Sequence, residues 1–356
     1  MGGVPSSRNP RPGTIRFIPH RNEPAQGFCM PRKGLSTEGA NPRKGSGTEG
    51  ANPRKGSSTE GANPPKETAP PPECATKDEH VIEAIGRTRV VIRDGVIAEV
   101  GTPCITNCPL ARRFAVPVAD FTPEAIRENI GNRIRSFGMC TDRREVTDNR
   151  DFVGFGASEL LSAALRAGLI DAAVLACDGA GTVIATTAPL IQGIGGRMSG
   201  LVSTSPFPGV IERIKAAGGF VVDPGHAAID QVRGAGAAYD LGYRRVAVTV
   251  TGPDTALEVR RLYPDAIIVA VHTTGLSREE AEALVSSADL VTACASRHLR
   301  ELAAPALIQA GTGIPVFGFT RAGKEIILAK LRESKAPVVV KFDRLPVTGS
   351  GPEPLL

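Results

Sequence analysis

No run of eighteen apolar residues occurs in this 356-residue chain, which excludes a membrane-spanning helix on length grounds. The N-terminus lacks the apolar core of a secretion signal, so the expectation is a cytosolic protein. An excess of one charge is scarce as well. Residues 1–79 carry 12 Lys and Arg against 8 Asp and Glu, and the remainder carries 30 against 29. A nearly neutral folded part argues against a nucleic-acid surface. Catalytic signatures of fixed spacing are missing too. There is no G-x-S-x-G and no H-E-x-x-H, and neither glycine-rich run ends in the Lys-Ser/Thr of a P-loop.

What is there begins with a tail. Residues 31–63 repeat "PRKGLSTEGAN", "PRKGSGTEGAN" and "PRKGSSTEGAN" without a large apolar seam. Each unit holds Pro and Gly, so the eleven-residue period does not signal a supercoil. Too little apolar surface is available to offset chain entropy, and residues 1–79 are expected to be disordered. Met30 is an internal candidate start within this tail.

The core is expected from His80. Two apolar runs around Asp94-Gly95 in "TRVVIRDGVIAEVG" (88–101) signal a hairpin. "TPEAIRENIGNRIRSFG" (122–138) reads as a helix, with Thr122 as cap, Pro123 in the first turn and apolar residues at 126, 130, 134 and 137. From 157 onward, helices such as "ASELLSAALRAG" alternate with short apolar strands: "IDAAVLAC", "RRVAVTV", "AIIVAV" and "DLVTAC". This predicts an α/β fold, a mostly parallel sheet with helices on both faces, preceded by the hairpin region. The expected divisions are 80–150 for hairpin and helix, 151–345 for the α/β core, and a loose end over 346–356.

In open parallel sheets ligands bind beyond the carboxyl ends of the strands. The residues just past those ends are Cys177-Asp178-Gly179, Thr251-Gly252, His272-Thr273-Thr274 and Cys294-Ala295-Ser296. If the strands are parallel neighbours, these tips share one rim. "CDGAG" places Gly179 and Gly181 as the first two glycines of a dinucleotide fingerprint, but Ile184 holds the third place and a strand follows. A turn between two strands, with glycine supplying positive φ, is the better reading. "QGIGGRMSG" (192–200) is read either as a plain tight loop or as a backbone anion nest beside Arg197.

Of the seven cysteines, Cys29 and Cys74 lie in the tail. Cys104 and Cys108 have C-x3-C spacing and no second close pair, a poor match to structural zinc. Cys108, Cys140, Cys177 and Cys294 remain as candidate thiolate ligands to an iron–sulfur cluster, with buried packing as the alternative. The Arg143-Arg144 pair beside Cys140 either lowers its thiol pKa or belongs to a solvated loop.

The blocks "HVIEAIGRTRVVIRDGVIAEVG", "SFGMCTDRREV", "GLIDAAVLACDGAGTVIAT", "LIQGIGGRMSGLVSTSP", "AVHTTGLS" and "ADLVTACAS" resemble the methanogenesis marker protein 8 family. The resemblance covers about residues 80–345. Cys108, in "NCPL", matches a family cysteine, whereas Cys104 is a departure. It implies a cytosolic protein of methane-metabolising archaea. The partners it implies are methyl-coenzyme M reductase or its maturation proteins. It carries no established catalytic residue.

Three functions follow. One is an accessory protein of methanogenesis, acting in maturation of methyl-coenzyme M reductase or its cofactor, that binds an iron–sulfur cluster on the four cysteines, tuned by Asp178 and His272, or an anionic cofactor at the strand ends. In it Gly195, Gly196 and Arg197 hold an anion, and Gly179, Gly181, Thr273 and Thr274 contact the cofactor. The second is a metal-independent enzyme using Asp178, His272 and Ser296 on a small phosphorylated or carboxylated substrate. The third is a non-catalytic protein-binding scaffold.

Overall fold

The computed structural model describes residues 78–197 and 200–356. Residues 1–77, with the eleven-residue repeats, lie outside the described residues, as do Met198 and Ser199 of the second glycine run.

The chain opens with β1 (Glu79–Ala84), β2 (Thr88–Arg93) and β3 (Val96–Val100). The hairpin between β2 and β3 turns on Asp94 and Gly95, with φ of 52° and 70°. Two positive φ values suit the right-handed twist of the strands, and an Asp-Gly pair adopts them cheaply. Helix α1 (Pro123–Phe137) follows as expected. Thr122 accepts a hydrogen bond from the Ala125 N–H, and Gly138 closes the helix at φ 74°. Its apolar face meets the small sheet in a core of Ile82, Val90, Ile92, Ile126, Ile130, Met139 and Cys140.

Next come α2 (Ala157–Arg166), β4 (Ala172–Cys177), β5 (Gly181–Ala185), α3 (Ala188–Gly195), β6 (Gly200–Ser203), α4 (Pro208–Ala216) and β7 (Phe220–Val221). The rest of the large sheet follows as α5 (Gln231–Asp240), β8 (Val246–Val250), α6 (Pro253–Leu262), β9 (Ile267–Ala270), α7 (Arg278–Ser287) and β10 (Leu290–Thr292). Helix α8 (Arg297–Glu301), β11 (Ile308–Ala310), β12 (Val316–Gly318) and α9 (Arg321–Glu333) complete the series.

Two sheets result. The small one is antiparallel, ordered β3-β2-β1-β6. Its fourth strand comes from beyond residue 150, so the chain crosses back over the expected division there. The large sheet is ordered β11-β12-β10-β9-β8-β4-β5-β7. It is mixed rather than mostly parallel. The central pairings β10–β9, β9–β8 and β8–β4 are parallel, and the flanking ones are antiparallel. The cause is loop length. Helical crossovers make parallel neighbours, whereas the short "DGA" turn after β4 can only return an antiparallel β5.

Helices do cover both faces of the large sheet. Alternate residues of β4 point to opposite sides: Ala173, Leu175 and Cys177 join an apolar layer with α2, α3, α4 and α9. Ala172 and Val174 join a second layer with α5, α6, α7 and α8.

The second glycine run departs from its expected loop, because residues 192–195 are the last turn of α3. Glycines are poor helix formers, but Leu190, Ile191 and Ile194 are buried and hold the helix in place. Residues 346–356 are not loose either. Val347 N–H donates to Gln309 Oε1, Glu353 bridges Asn107, and the Leu356 N–H donates to Ala295 O at 3.0 Å.

Candidate functional site

The ends of the four central parallel strands carry Cys177-Asp178, Thr251, His272 and Cys294 along one edge of the large sheet. Neighbouring strands lie about 4.8 Å apart. His272 and Cys294 therefore follow adjacent strands, and Cys177 follows a strand two places beyond His272. The small sheet packs over this edge. A Cβ built on Gly200 of β6 would lie 3.1 Å from the Glu83 Cβ and 3.5 Å from His272 Nδ1.

At the β4 end, Asp178 is wholly buried and its carboxylate is fully engaged. Oδ1 accepts from Arg144 Nε at 2.8 Å and Oδ2 from the Cys140 N–H at 2.6 Å. Burial alone would raise the Asp178 pKa; the Arg144 charge and the Cys140 N–H outweigh it and hold the carboxyl below its ordinary range. Arg144 is itself buried. It also donates to Gly193 O at 3.1 Å and lies over the Phe137 ring at 5.0 Å. This pair clamps the loop after α1 to the tip of β4, where Cys140 takes φ 53°. Arg144 is thus not part of a solvated loop, and although its charge lowers the Cys140 pKa, burial and Asp178 outweigh it. Burial and the Asp178 charge push the Cys140 thiol well above its ordinary value. Burial pushes Cys177 up to about 12.

At the β9 end, His272 takes φ 55° and is half-buried. Burial, helped by the Arg133 charge, lowers its pKa to about 4, so the imidazole is neutral. Thr273 and Thr274 stitch neighbouring loops together. Thr273 Oγ1 donates to Thr292 O at 2.5 Å and accepts from the Cys294 N–H at 3.2 Å, while Thr274 Oγ1 accepts from the Ala295 N–H at 3.3 Å. Ser296 is buried and caps α8 by accepting from the Leu299 N–H. Arg300 ties this loop to its neighbour, donating to Cys294 O at 2.6 Å and to Gly313 O at 3.1 Å.

The four candidate cysteines do not form one ligand set. Cys140 belongs to the small-sheet core and Cys177 to a large-sheet core, and Cys177 acts on Cys140 electrostatically. Cys108 has Cys294 as its electrostatic neighbour instead. Burial raises the pKa of all four thiols. Among the described residues no three His, Cys, Asp or Glu side chains come together as metal ligands. This donor set does not fit a four-thiolate cluster.

The glycine positions also have packing reasons. Gly179 and Gly181 take φ of 80° and 68° in the β4–β5 turn, and a Cβ on Gly181 would meet Ala227 O at 2.2 Å. Gly195 and Gly196 end α3 without a positive φ, which gives no support to the nest alternative, and Met198 and Ser199 of that run lie outside the described residues. Arg197 is engaged by Glu145 at 2.8 Å and Asp148 at 2.5 Å.

Residues 80–332 match the family described as "Uncharacterized protein conserved in archaea (DUF2099)". The chain belongs to the DUF2099 family. A similar protein from Methanocaldococcus jannaschii, also described as uncharacterized, is 42% identical over 284 residues, covering 78% of this chain and all of that relative. The DUF2099 match begins at β1 and ends within α9, so it takes in both sheets and the rim between them. Among the described residues of this DUF2099 chain, no helix is long and apolar enough to cross a membrane.

Two buried groups escaped sequence reasoning. Glu159, in the first turn of α2, accepts from Phe152 N, Val153 N, Ser158 Oγ and Gln192 Nε2 at 2.9–3.2 Å. His80 lies beside the Phe207 ring, with centroids 5.0 Å apart, and shares Thr204 Oγ1 with the Gly179 N–H. For Glu159 the signal was a carboxylate inside the apolar run "ASELLSAAL"; His80, beside Asp78 and Glu79, carried no such signal.

Proposed function

We propose that this DUF2099 chain is a cytosolic accessory protein of methanogenesis, of the methanogenesis marker protein 8 kind. It serves as a binding scaffold for methyl-coenzyme M reductase or its maturation proteins and not as an enzyme. The sequence blocks that resemble that family support the biological setting. They lie within the residues matching an archaeal family.

One observation carries the scaffold reading: the polar groups at the strand ends are engaged by the fold itself. Asp178 answers Arg144 and the Cys140 N–H, Thr273 and Thr274 join two loops, and Ser296 caps a helix. A general acid or base must reach a substrate proton. Asp178 and Ser296, both buried and bonded inward, are poorly placed for that. His272 is neutral and half-buried, and it stands without a bonded nucleophile among the described residues.

The test is anaerobic affinity purification of the tagged full chain from a methanogen, alongside His272→Ala and Cys294→Ser. The scaffold reading expects subunits of the reductase, or its maturation proteins, to co-purify equally with all three. Failure of any such protein to co-purify ends the partner assignment. Loss of the biological role in a folded His272→Ala protein with its partners still bound would restore chemistry at the rim.

A further inference from the structure

Between the end of α9 and Leu345 the chain runs without secondary structure, and every residue from Arg332 to Arg344 is exposed. This arm is "RESKAPVVVKFDR". Val338 is 47% exposed, Val339 91%, Val340 80% and Phe342 105%. Single exposed apolar residues are ordinary, but four within five positions of strand-forming sequence mark an interaction surface. Both roots are fixed. Glu333 pairs with Arg166 at 2.6 Å, and Val347 exchanges two hydrogen bonds with the Gln309 side chain. The arm is therefore a held bight, ready to pair along its length.

We propose that the arm pairs with the same arm of a second copy, as two antiparallel strands related by a two-fold axis at Val339. This goes beyond the scaffold reading and does not depend on it. The sequence singles out the register. With Val339 opposite itself, Val338 faces Val340, Ala336 faces Phe342 and Lys335 faces Asp343. Opposite charges thus meet at both ends of the ribbon, and β-branched side chains meet in the middle. Pro337 then faces Lys341 in a non-hydrogen-bonded pair, where its missing N–H is not needed. Centring the axis between Val339 and Val340 would set Lys335 against Arg344, and centring it on Val340 would leave Lys335 and Asp343 unmatched.

One face of the ribbon carries Ala336, Val338, Val340 and Phe342 from each copy. The other carries Lys335, Val339, Lys341 and Asp343, and Lys341 already pairs with Asp343 at 2.7 Å within one arm. A two-fold contact is self-complementary and closes, so it yields a dimer rather than a filament. The undescribed residues 1–77 are a poor alternative occupant. The repeats at 31–63 offer almost no large apolar side chain to cover the strip, and the short apolar run Ile15–Ile18 contains Arg16, is followed by His20 and Arg21 and holds no acidic residue to meet Lys335.

Sedimentation of the full chain across a range of concentrations tests this. The expected result is a monomer–dimer equilibrium that Val340→Lys shifts to monomer. Lys335→Asp should weaken it about tenfold, by turning two attractive pairs into repulsive ones. Adding Asp343→Lys should recover most of that loss. All of these sites are exposed, so the far-UV circular dichroism of each variant should match the parent. A chain that is monomeric at every concentration overturns the proposal, as does a dimer indifferent to Val340→Lys. So does an arm that binds only a different protein while the chain stays monomeric.

Discussion

Arg144 Nε and Asp178 Oδ1 lie 2.8 Å apart with both side chains completely buried. They join the loop that closes α1 to the tip of β4, and so join the small sheet to the large one. Removing one partner of such a pair strands the other charge in an apolar setting and typically costs about 3–5 kcal/mol. Asp178→Ala and Arg144→Ala should each lower stability by that order in urea unfolding. Because Arg144 and the Cys140 N–H hold the Asp178 carboxyl low, its contribution is complete at neutral pH. It fades only as pH falls below about 4, through the folded value. An Asp178→Ala protein as stable as the parent would show that the clamp is not structural.

His272 gives a different pH signature. Its imidazole titrates near 4 in the folded chain, against an ordinary value of 6.5. The unfolded chain takes up its proton first, so stability is full above about 6.5 and declines toward pH 4, by on the order of 2–3 kcal/mol. His80, also lowered by burial, adds in the same direction. His272→Asn should flatten this decline while keeping the positive φ, which Asn tolerates. The check is the urea midpoint of both proteins at several pH values between 7 and 4.

Gly193 and Gly195 should behave differently although both lie in α3. A Cβ on Gly193 would sit 2.3 Å from Val146 O and 2.4 Å from Thr147 Cα, both backbone atoms. A Cβ on Gly195 would meet Ser158 alone, its Cβ at 3.1 Å and its Cα at an ordinary 3.7 Å. Gly193→Ala should therefore lower the thermal midpoint, at a cost of about 1–3 kcal/mol. Gly195→Ala should be near neutral, helped by the better helix propensity of alanine.

The thiols should separate by environment. Cys140 and Cys177 are buried, and burial raises both. Cys104, Cys108 and Cys294 are partly exposed. In the folded protein, alkylation at pH 8 followed by peptide mass spectrometry should label the exposed group first. Cys140 and Cys177 should be labelled only in denaturant. Rapid native labelling of Cys177 would contradict its burial at the tip of β4.

Much of the local architecture was legible because its causes are local. Asp94-Gly95 dictates a hairpin, Thr122 and Gly138 bound a helix, and Gly179 with Gly181 supply the turn after β4. The site was legible only as a set of positions. Strand-end residues do share an edge of the sheet, but nothing near Asp178 in the chain says that its partner is Arg144, 34 residues earlier. The same applies to Thr273, whose hydroxyl meets Cys294 only because β9 and β10 pair.

The sequence by itself determined the β2–β3 hairpin, α1 and the helices and strands that alternate through the core, since capping, φ preference and apolar period act over a few residues. It also determined that the folded part is close to neutral and belongs in the α/β class. Only the tertiary structure decided which strands pair, that the sheet is mixed, and that α3 displaces an expected loop. It also decided which polar groups face inward and which meet solvent. Those outcomes depend on burial between segments far apart in the chain, where desolvation penalises any charge or hydroxyl that lacks a partner.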